Sequence, residues 1–390
     1  MQRLEYVCKL ITDGSHNPPA GIEYSDFLML SSKNIYNGKI TFDEPRYLQE
    51  ADFFKENKRT NVEGGDVLLT IVGTVGRTAV VSDTMRKFVL QRSVAVLKPI
   101  HEIVNSKYLM YSLINITPKL QQQSRGVAQK GIYLKQLKDI EIPLPTLDVQ
   151  NNIAEILDET QEIIDVHKTQ LKELDYLIEA TFHEMFGDPV TNEKGWEIKL
   201  CKEAATKIGS GATPKGGNQS YKEFGISLIR SLNVYNGFFK YEDLAHIDEE
   251  QADKLKNVIV EKNDVLLNIT GASVARSCIV PNDILPARVN QHVAIIRPIK
   301  DYINSLFLNC LFTNKSYQQK LWKVATGSGA TREAITKQQI ESLEIILPPL
   351  ELQNKFADIV SKIEEQKTIV KQSITESQNL FNSLMSKYFD

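Results

Sequence analysis

The fold is decided by a stretch that occurs twice in this chain, LPTLDVQN at residues 144–151 and LPPLELQN at residues 347–354. Three further blocks return in the same order: GDVLLTIVG (65–73) as NDVLLNITG (263–271), VAVLKP (94–99) as VAIIRP (293–298), and NIYNG (34–38) as NVYNG (233–237). Self-similarity of this kind indicates a repeat architecture. We therefore interpret the chain as a tandem duplication.

A long helix is predicted after each globular part. There is no Gly or Pro between Val149 and Phe186, and Gly187-Asp188-Pro189 supplies a stop signal. Apolar residues recur at alternating steps of three and four, which is typical of a coiled-coil seam. The seam positions are Ile153, Leu157, Ile164, Leu171, Leu174, Ile178 and Met185 in the first helix, and Phe356, Val360, Ile363, Val370, Ile374, Phe381, Leu384 and Tyr388 in the second.

The pairing of these helices has an alternative, in which each amphipathic helix packs only on its own core. We favour mutual pairing, because a helix of this length has more apolar surface than a small domain covers. The polar seam residues Thr160, His167 and Thr181 are expected to set register or relieve crowding, not to bind a ligand.

Each globular part is predicted to be mixed, with sheet dominating. Short β-branched runs at residues 67–72 and 94–97 predict strands. Asn37-Gly38 and Asn236-Gly237 are hairpin-turn signals, and residues 108–113 and 304–312 have a helical pattern. The expected fold class is α+β, with two similar β-rich domains that are separated and followed by long helices. The expected boundaries are residues 1–145 and 188–348 for the domains, and 146–187 and 349–390 for the helices.

Charge is distributed unevenly along the chain. The net charge of −3 divides into +4 for residues 1–145, −8 for 146–187, +2 for 188–348 and −1 for 349–390. DNA phosphates, if they are bound, would be met by the two mildly basic segments. The excess permits DNA binding without proving it.

The composition is that of a soluble globular protein, with 42% hydrophobic and 24% charged residues. No apolar run approaches the ~18 residues that a membrane span needs, so we expect a cytoplasmic protein. The four cysteines (Cys8, Cys201, Cys278 and Cys310) are far apart and form no CxxC pair. Neither a disulfide framework nor a zinc site is therefore predicted.

Motifs that would carry catalysis are incomplete. NPPA at residues 17–20 ends in Ala, so the ring that would stack on a flipped base is missing. The glycine-rich residues 209–217 lack the Gly-Lys-Ser/Thr ending of a P-loop. They are more typical of a flexible loop that faces DNA. The histidines have neither metal-ligand nor triad spacing, so no catalytic residue and no metal site is expected.

The duplicated layout resembles the specificity subunit of type I restriction-modification enzymes. The motifs that carry this resemblance are GDVL at 65–68, the Leu-Pro-x-Leu-x-x-Gln entry to each long helix, FHEMFGD at 182–188 and Gly195-Trp196. The resemblance implies that each globular part is a target-recognition domain and that the two helices pair antiparallel. It also implies a non-catalytic, sequence-specific DNA-binding subunit that reads a bipartite, asymmetric target, with one half-site for each domain.

The same resemblance implies the partners. They are double-stranded DNA, two modification subunits that carry S-adenosylmethionine and methylate adenine, and restriction subunits that use ATP. No cofactor is expected in this chain itself, and no membrane partner.

Polar residues on loops beside the predicted strands are the candidates for DNA contact. Arg can bond guanine bidentately, Gln and Asn can bond adenine, and Lys more often positions the phosphate backbone. In the first domain the candidates are Ser15, His16, Lys33, Arg77, Arg92, Arg125, Gln129 and Lys130. In the second domain they are Thr213, Lys215, Asn218, Arg230, Asn233, Arg276, Arg288, Gln291 and Arg332.

The acidic first helix is expected to avoid DNA. Its exposed face is therefore the candidate docking surface for other subunits, with Glu155, Glu162 and Asp165 as the residues to test. Two alternatives stay open at this point. One is a recognition subunit of a related bifunctional restriction system, and the other is a coiled-coil scaffold that does not bind DNA.

Overall fold

The chain folds into two compact units. The structure is a computed structural model that describes residues 1–36, 38–124, 131–327 and 333–389, without the side chains of residues 123, 124 and 218. Unit 1 comprises Met1–Lys168 and Gln372–Asp390, and unit 2 comprises Thr169–Lys371. Both boundaries fall inside the long helices, so each unit takes one globular part together with pieces of both helices. This grouping cuts across the domain and helix boundaries expected above.

Unit 1 contains the first half of the elements. Its strands are β1 (Gln2–Arg3), β2 (Cys8–Asp13), β3 (Leu28–Leu30), β4 (Ile35–Tyr36), β5 (Lys39–Ile40), β6 (Arg46–Tyr47), β7 (Val67–Thr70), β8 (Thr78–Val80), β9 (Phe88–Leu90), β10 (Val94–Pro99) and β11 (Glu141–Ile142). Its helices are α1 (Leu4–Val7), α2 (Glu50–Thr60), α3 (Ser106–Ser124), α4 (Leu134–Lys138) and the first part of α5 (Leu147–Phe186).

Unit 2 contains the second half. Its strands are β12 (Glu197–Leu200), β13 (Ala205–Ser210), β14 (Ile226–Ile229), β15 (Ala245–Ile247), β16 (Ile259–Val260), β17 (Val265–Asn268), β18 (Ser277–Ile279), β19 (Ala287–Val289), β20 (Val293–Pro298) and β21 (Glu344–Leu347). Its helices are α6 (Cys201–Ala204), α7 (Glu249–Asp253), α8 (Ser305–Thr313), α9 (Lys315–Thr326), α10 (Lys337–Glu341) and the first part of α11 (Leu350–Phe389), whose end belongs to unit 1.

Both units are built on the same sheets. Unit 1 has an antiparallel sheet of order β2-β10-β7-β8, and unit 2 has its counterpart of order β13-β20-β17-β18. A second sheet in each unit contains one parallel pair, β3 with β9 and β14 with β19. The strands predicted at residues 67–72 and 94–97 are β7 and β10, so the α+β prediction is confirmed.

The central strand β7 is buried on both faces, which explains its continuous apolar sequence. Val67 and Leu69 pack in one core with α3 and the start of α5, whereas Leu68 packs in a separate core with β3 and β9. In unit 2, Leu267 and Leu266 occupy the equivalent two cores. The antiparallel sheet β2-β10-β7-β8 and its counterpart β13-β20-β17-β18 are therefore the middle layers of their units.

A buried glutamine attaches each long helix to its globular part. Gln150 is fully buried, and its amide donates to the carbonyl oxygens of Ile103 at 3.0 Å and Pro145 at 2.8 Å. Its Oε1 accepts from the backbone N–H of Asn105 at 3.0 Å. Gln353 in unit 2 makes the same three bonds at 2.7–3.1 Å. The repeated Leu-Pro-x-Leu-x-x-Gln sequence is thus a docking motif with a specific bonding role.

The helices pair inside each unit. In unit 1, Ile153 and Leu157 from the start of α5 share a core with Phe381 and Met385 from the end of α11. In unit 2, the order is reversed: the end of α5 packs against the start of α11. This pairing is antiparallel, as the resemblance implied. The same cores include the globular parts, so each helix end also packs on its own sheet layer.

In the antiparallel four-stranded sheet of each unit, a buried ion pair joins the start of one central strand to the end of its neighbour. Lys98 Nζ lies 2.7 Å from Asp66 Oδ2, and both side chains are almost fully buried. In unit 2, Arg297 donates from Nε and Nη2 to Asp264 at 2.8 and 2.9 Å. Burial raises the pKa of Asp66, and the hydrogen bond from Lys98 opposes that rise. The repeated Asp and the cation before the repeated Pro are therefore structural partners.

Candidate nucleic-acid interface

The candidate DNA contacts gather at one end of each four-stranded sheet. At this end, which we call the sheet end, β2 and β7 finish and β8 and β10 begin; Asp13 pairs with Ala95 and Leu69 with Thr78. In unit 2 the sheet end is formed by the ends of β13 and β17 and the starts of β18 and β20. Residues that are far apart in sequence therefore share one surface in each unit.

In unit 1, four of the candidate side chains lie at or near the sheet end. Arg92 is exposed immediately before β10, and His16 is exposed after β2. Arg77 precedes β8, and its guanidinium carbon lies 5.0 Å from the ring centroid of Tyr36. Lys33, on a turn after β3, is exposed and lies 3.3 Å from Glu44.

In unit 2 the same end carries a different set of candidates. Arg276 lies over the ring of Tyr235 at 4.5 Å, and Arg230 lies over the ring of Tyr221 at 5.2 Å. Gln291 is exposed before β20. The half-buried Thr213 and the exposed Lys215 follow β13.

An Arg–Tyr stack occurs at the sheet end of both units. Arg77 and Arg276 each precede the equivalent strand, and each strand before them bonds back in the same way, from Thr70 N–H to Arg77 O and from Asn268 N–H to Arg276 O. A ring below the guanidinium restricts its freedom and adds a cation–π attraction. A pre-oriented guanidinium loses less entropy when it bonds a base edge bidentately.

Three candidates are buried, and for them the expectation of a solvent-facing loop position is wrong. Asn233 is fully buried, because its amide caps a turn by bonding Lys240 O and accepting from Arg230 N–H. Arg288 lies within β19, and its guanidinium donates to the carbonyl oxygen of Ala252 at 3.2 Å. Ser15 is buried because its backbone bridges to Gln91.

Four candidates, Arg125, Gln129, Lys130 and Arg332, lie outside the described residues, as does Asn37 of the first hairpin signal. The side chain of Asn218 is also not described. Two described residues that follow undescribed stretches in the sequence bridge to residues just after β7 and β17. Gly131 bridges to Val72, and Ala334 bridges to Thr270.

A glycine without room for a side chain begins the loop after β2 and after β13. A Cβ on Gly14 would lie 2.1 Å from the carbonyl oxygen of Leu90, and one on Gly211 would lie 1.8 Å from that of Val289. These are backbone atoms, so the neighbouring strand would have to move. The close approach fixes where the loops that carry His16 and Thr213 leave the sheet.

A cavity borders the sheet end of unit 1, and a second cavity of different chemistry lies along β13 in unit 2. The unit 1 cavity has a volume of about 340 Å³, and Asp13, His16, Arg59, Arg92 and Tyr133 contribute to its wall. The unit 2 cavity has a volume of about 590 Å³. Its lining includes Lys202, Lys207, Ser210, Asn257 and Lys337.

The lining of the unit 2 cavity has three lysines and one carboxylate, that of Glu341, which lies 3.6 Å from Lys337. Lys207 lies directly across the sheet from Arg297. Burial lowers the pKa of Lys207, and the charge of Arg297 lowers it further. Among the described residues, no carboxylate lies within ion-pair distance of Lys202 or Lys207. This surface is therefore suited to an anion such as a phosphate group.

The proposed docking acids on α5 do not share one environment. Glu155 and Glu162 are exposed. Asp165 is half-buried, and its Oδ2 lies 2.5 Å from Lys39 Nζ on β5. Asp165 is therefore already paired with a cation of its own unit, and its role in docking stays a prediction.

Sequence reasoning missed the residues that support the candidates. Tyr36 and Tyr235 stand in the repeated NIYNG and NVYNG blocks, so their equivalence was visible, but their stacking on Arg was not. Arg59, which bonds Asp13, lies 46 positions away from it and gave no signal in the sequence. No group of three or more potential metal ligands occurs in the part of the chain that the structure describes. In that same part, no helix has the length and apolarity of a membrane span.

The architecture and the duplicated sheet end match one family. The family model described as the type I restriction modification DNA specificity domain matches residues 25–176 and 193–377. The chain belongs to this family. The type I restriction enzyme MjaVIII specificity subunit of Methanocaldococcus jannaschii is 25% identical over 333 residues, which is 79% of this chain and 74% of that protein. The putative MjaX specificity subunit of the same organism is 24% identical over 324 residues, 77% of this chain and 72% of that protein.

A solved structure shares the fold of this specificity subunit. The crystal structure of a type I restriction-modification system S subunit from M. genitalium has a TM-score of 0.61 and covers 100% of this chain and 95% of its own, at 14% identity. At that identity the likeness establishes the fold alone. The resemblance found in the sequence is confirmed, and the two globular parts are the target-recognition domains of a DNA-binding type I specificity subunit.

Proposed function

We propose that this specificity subunit reads a bipartite, asymmetric DNA target, with one half-site at the sheet end of each unit. The observation that carries the proposal is the contrast between the two sheet ends. They have the same backbone frame, but Asp13, His16 and Arg92 of unit 1 are replaced by Ser210, Thr213 and Gln291 at the equivalent positions of unit 2. Base edges are distinguished by their donors and acceptors, so two such surfaces would select different bases.

The shared Arg–Tyr stacks are proposed to make the strongest base contact in each half-site. Arg77 and Arg276 are half-buried and each lies over an aromatic ring, whereas Arg92 and Lys215 are exposed. Guanine offers O6 and N7 to such a guanidinium. Lys33 and Lys215 are exposed and are proposed to position the phosphate backbone.

The chain is proposed to act without catalysis of its own. Two modification subunits would carry S-adenosylmethionine and methylate adenine, and restriction subunits would use ATP. This assignment rests on the family and on the incomplete catalytic motifs in the sequence.

Docking of two modification subunits is supported by a second duplication. When the Gln150 and Gln353 motifs are aligned, Glu155 and Glu162 on α5 correspond to Asp358 and Glu365 on α11. All four carboxylates are exposed. Two equivalent acidic pairs would provide two equivalent contacts for a basic partner surface.

The docking proposal is tested by charge reversal. Glu155→Lys with Glu162→Lys should remove one modification subunit from the complex, as measured by native mass, and leave the other bound. Asp358→Lys with Glu365→Lys should do the same at the second position. All four changes together should leave the chain without modification subunits, and a complex of unchanged mass would overturn the proposal.

The target proposal is tested by sequencing the methylated bases of genomic DNA. Cells should be compared with and without this chain, in the presence of its modification subunits. A new bipartite adenine mark that requires the chain would establish its role and give both half-sites. Absence of a mark, with modification subunits shown to be folded and bound, would overturn it.

A further inference from the structure

The unit 1 cavity has a polar wall that is already assembled. The carboxylate of Asp13, whose side chain is 8% exposed, is held on one side by the guanidinium of Arg59. On the other side its Oδ2 lies 2.8 Å from His16 Nε2. Arg59 Nε also donates to the backbone carbonyl of Asp13 at 2.8 Å. The carboxylate is therefore neutralised, and it fixes the plane of the Arg59 guanidinium.

Donors remain for a ligand. Arg59 bonds Asp13 through Nε and Nη2, and its Nη1 has no partner among the described residues. The guanidinium of Arg92, on the same cavity, also has no partner in the part of the chain that the structure describes. The cavity thus offers N–H groups in excess of acceptors, which suits a ligand edge rich in oxygen and nitrogen acceptors.

The other side chains that line the cavity are apolar or aromatic. Ile71 and Ile132 are 3% and 5% exposed and line the cavity together with Leu134. The side chain of Tyr133 is 62% exposed beside them. Apolar and aromatic side chains facing a few convergent donors are typical of sites for small planar ligands, and 340 Å³ lies at the lower end of the usual volume range of roughly 300–1,000 Å³.

Unit 2 lacks this combination although it has the same frame. Ile132 and Ile335 each bond back to the end of the central strand, to Ile71 and Ile269 respectively. From that register, Thr336 replaces Tyr133, and residues 337–341 include no aromatic side chain. The combination of Asp13, Arg59, Arg92 and Tyr133 therefore occurs in unit 1, and the shared fold does not require it.

We propose that the unit 1 cavity is a nucleobase site, which receives one base turned out of the DNA stack at the half-site of unit 1. A base that leaves the stack is held by stacking on aromatic and apolar side chains and by hydrogen bonds to its edge. Tyr133 and Ile132 supply the stacking surface, and Arg59 and Arg92 supply the donors. Guanine, with O6 and N7 as adjacent acceptors, fits these donors best. This inference rests on the proposed function, since the base comes from the target DNA.

The experiment uses the full chain with its modification subunits and duplexes that carry the target found by methylation sequencing. Each base pair in turn is replaced by a mismatch, and the affinity is compared with that for the matched duplex. A mismatch removes part of the cost of unpairing, so it tightens binding at a position where the base is extruded. We expect one non-adenine position in the half-site of unit 1 to bind about ten-fold more tightly when mismatched, since unpairing costs a few kcal/mol.

Variants connect that position to the cavity. Tyr133→Ala and Arg92→Ala should each remove the mismatch enhancement, while Tyr133→Phe, which keeps the ring, should retain it. The matched controls in unit 2 are Thr336→Ala and Gln291→Ala, which should leave the enhancement unchanged. A 2-aminopurine base next to the extruded position should report its unstacking by increased fluorescence, and Tyr133→Ala should abolish that signal.

The outcomes separate this site from the proposed function. If the complex binds its bipartite target specifically but no non-adenine mismatch in the unit 1 half-site tightens binding, the nucleobase site is overturned and the proposed function stands. An enhancement that survives both Tyr133→Ala and Arg92→Ala also overturns the site, because the base would then be held elsewhere. A complex without sequence-specific binding would overturn the proposed function itself.

Discussion

Gln150 of unit 1 and Gln353 of unit 2 make the same three hydrogen bonds, whereas Asp13 and Ser210, which end equivalent strands, have no chemistry in common. The repeated sequence blocks coincide with the shared bonds. The divergent residues coincide with the sheet end. The duplication therefore preserved the glutamine bonds that join each long helix to its sheet layer. It altered side chains that lie at the sheet end.

The units also differ in a structural element. Unit 1 has one helix, α3, of 19 residues, where unit 2 has α8 and α9 with a break at Asn314. The side chain of Asn314 accepts from the backbone N–H groups of Ser316 and Tyr317 and so begins a new helix. Two shorter helices therefore replace one long helix in unit 2, while the strand order of the antiparallel sheet stays the same.

The largest effect should come from the buried ion pairs. Arg297→Met leaves Asp264, whose side chain is fully buried, without its partner, and Lys98→Met does the same to Asp66. Removal of one member of such a pair costs about 3–5 kcal/mol of unfolding free energy. Both tryptophans, Trp196 and Trp322, belong to unit 2, so fluorescence in urea should report the change in Arg297→Met, and circular dichroism should report both variants.

The control for the ion pairs is Lys254→Met. Lys254 and Glu250 are exposed on α7, so their pair should contribute little to stability. If Lys98→Met and Arg297→Met were as harmless as this control, neither ion pair would stabilise its sheet layer.

The next effect concerns DNA. Arg77→Ala should weaken discrimination only at the half-site of unit 1, and Arg276→Ala only at that of unit 2, each by about 1–3 kcal/mol. Competition binding with duplexes altered in one half-site at a time would measure this. If either variant affected both halves equally, the assignment of one half-site to each unit would fail.

A smaller effect is expected from the rings beneath these arginines. Tyr36→Leu and Tyr235→Leu remove a cation–π contact and keep the apolar bulk, which should cost about 0.5–1 kcal/mol of DNA affinity. Equilibrium titration should find the loss in both variants, and reduced stability without any loss of affinity would contradict the pre-orientation of Arg77 and Arg276.

The smallest effect concerns the buried cysteines, whose thiols should not react in the folded protein. Burial raises the pKa of Cys8 in unit 1 and of Cys278 in unit 2 to about 12. The thiolate is the reactive form, so at pH 8 both thiols should resist alkylation in the folded protein. Mass spectrometry should find them modified only after unfolding, and rapid labelling of one of them would show that its unit opens locally.

Much of the frame was predictable from the sequence, because β7, β10 and the long helices have strong apolar patterns. Residues 67–72 predicted a strand, and Val67–Thr70 is one. The three-residue strands were not found, since Leu28–Leu30 pairs in parallel with Phe88–Leu90 across a long separation in sequence. Short apolar runs carry no information on such partners.

The candidate site was harder to predict, because polar residue types do not reveal their burial. Asn233 looked like a reader of adenine, but its amide satisfies backbone groups in a turn, as that of Asn34 does in unit 1. Arg288 was placed on a loop, although Ala287–Val289 is a strand. The tyrosines under Arg77 and Arg276 could have been chosen from their repeated position, but stacking is a tertiary property.

The split of unit 1 into two segments has a consequence for synthesis on the ribosome. Unit 2 is one continuous segment, whereas the core of unit 1 needs Phe381 and Met385, which emerge after all of unit 2. At 5–20 residues per second, the roughly 200 residues between the two segments take about 10–40 s to translate. During that time Ile153 and Leu157 lack their contacts with α11, and the unit that is made first is completed last.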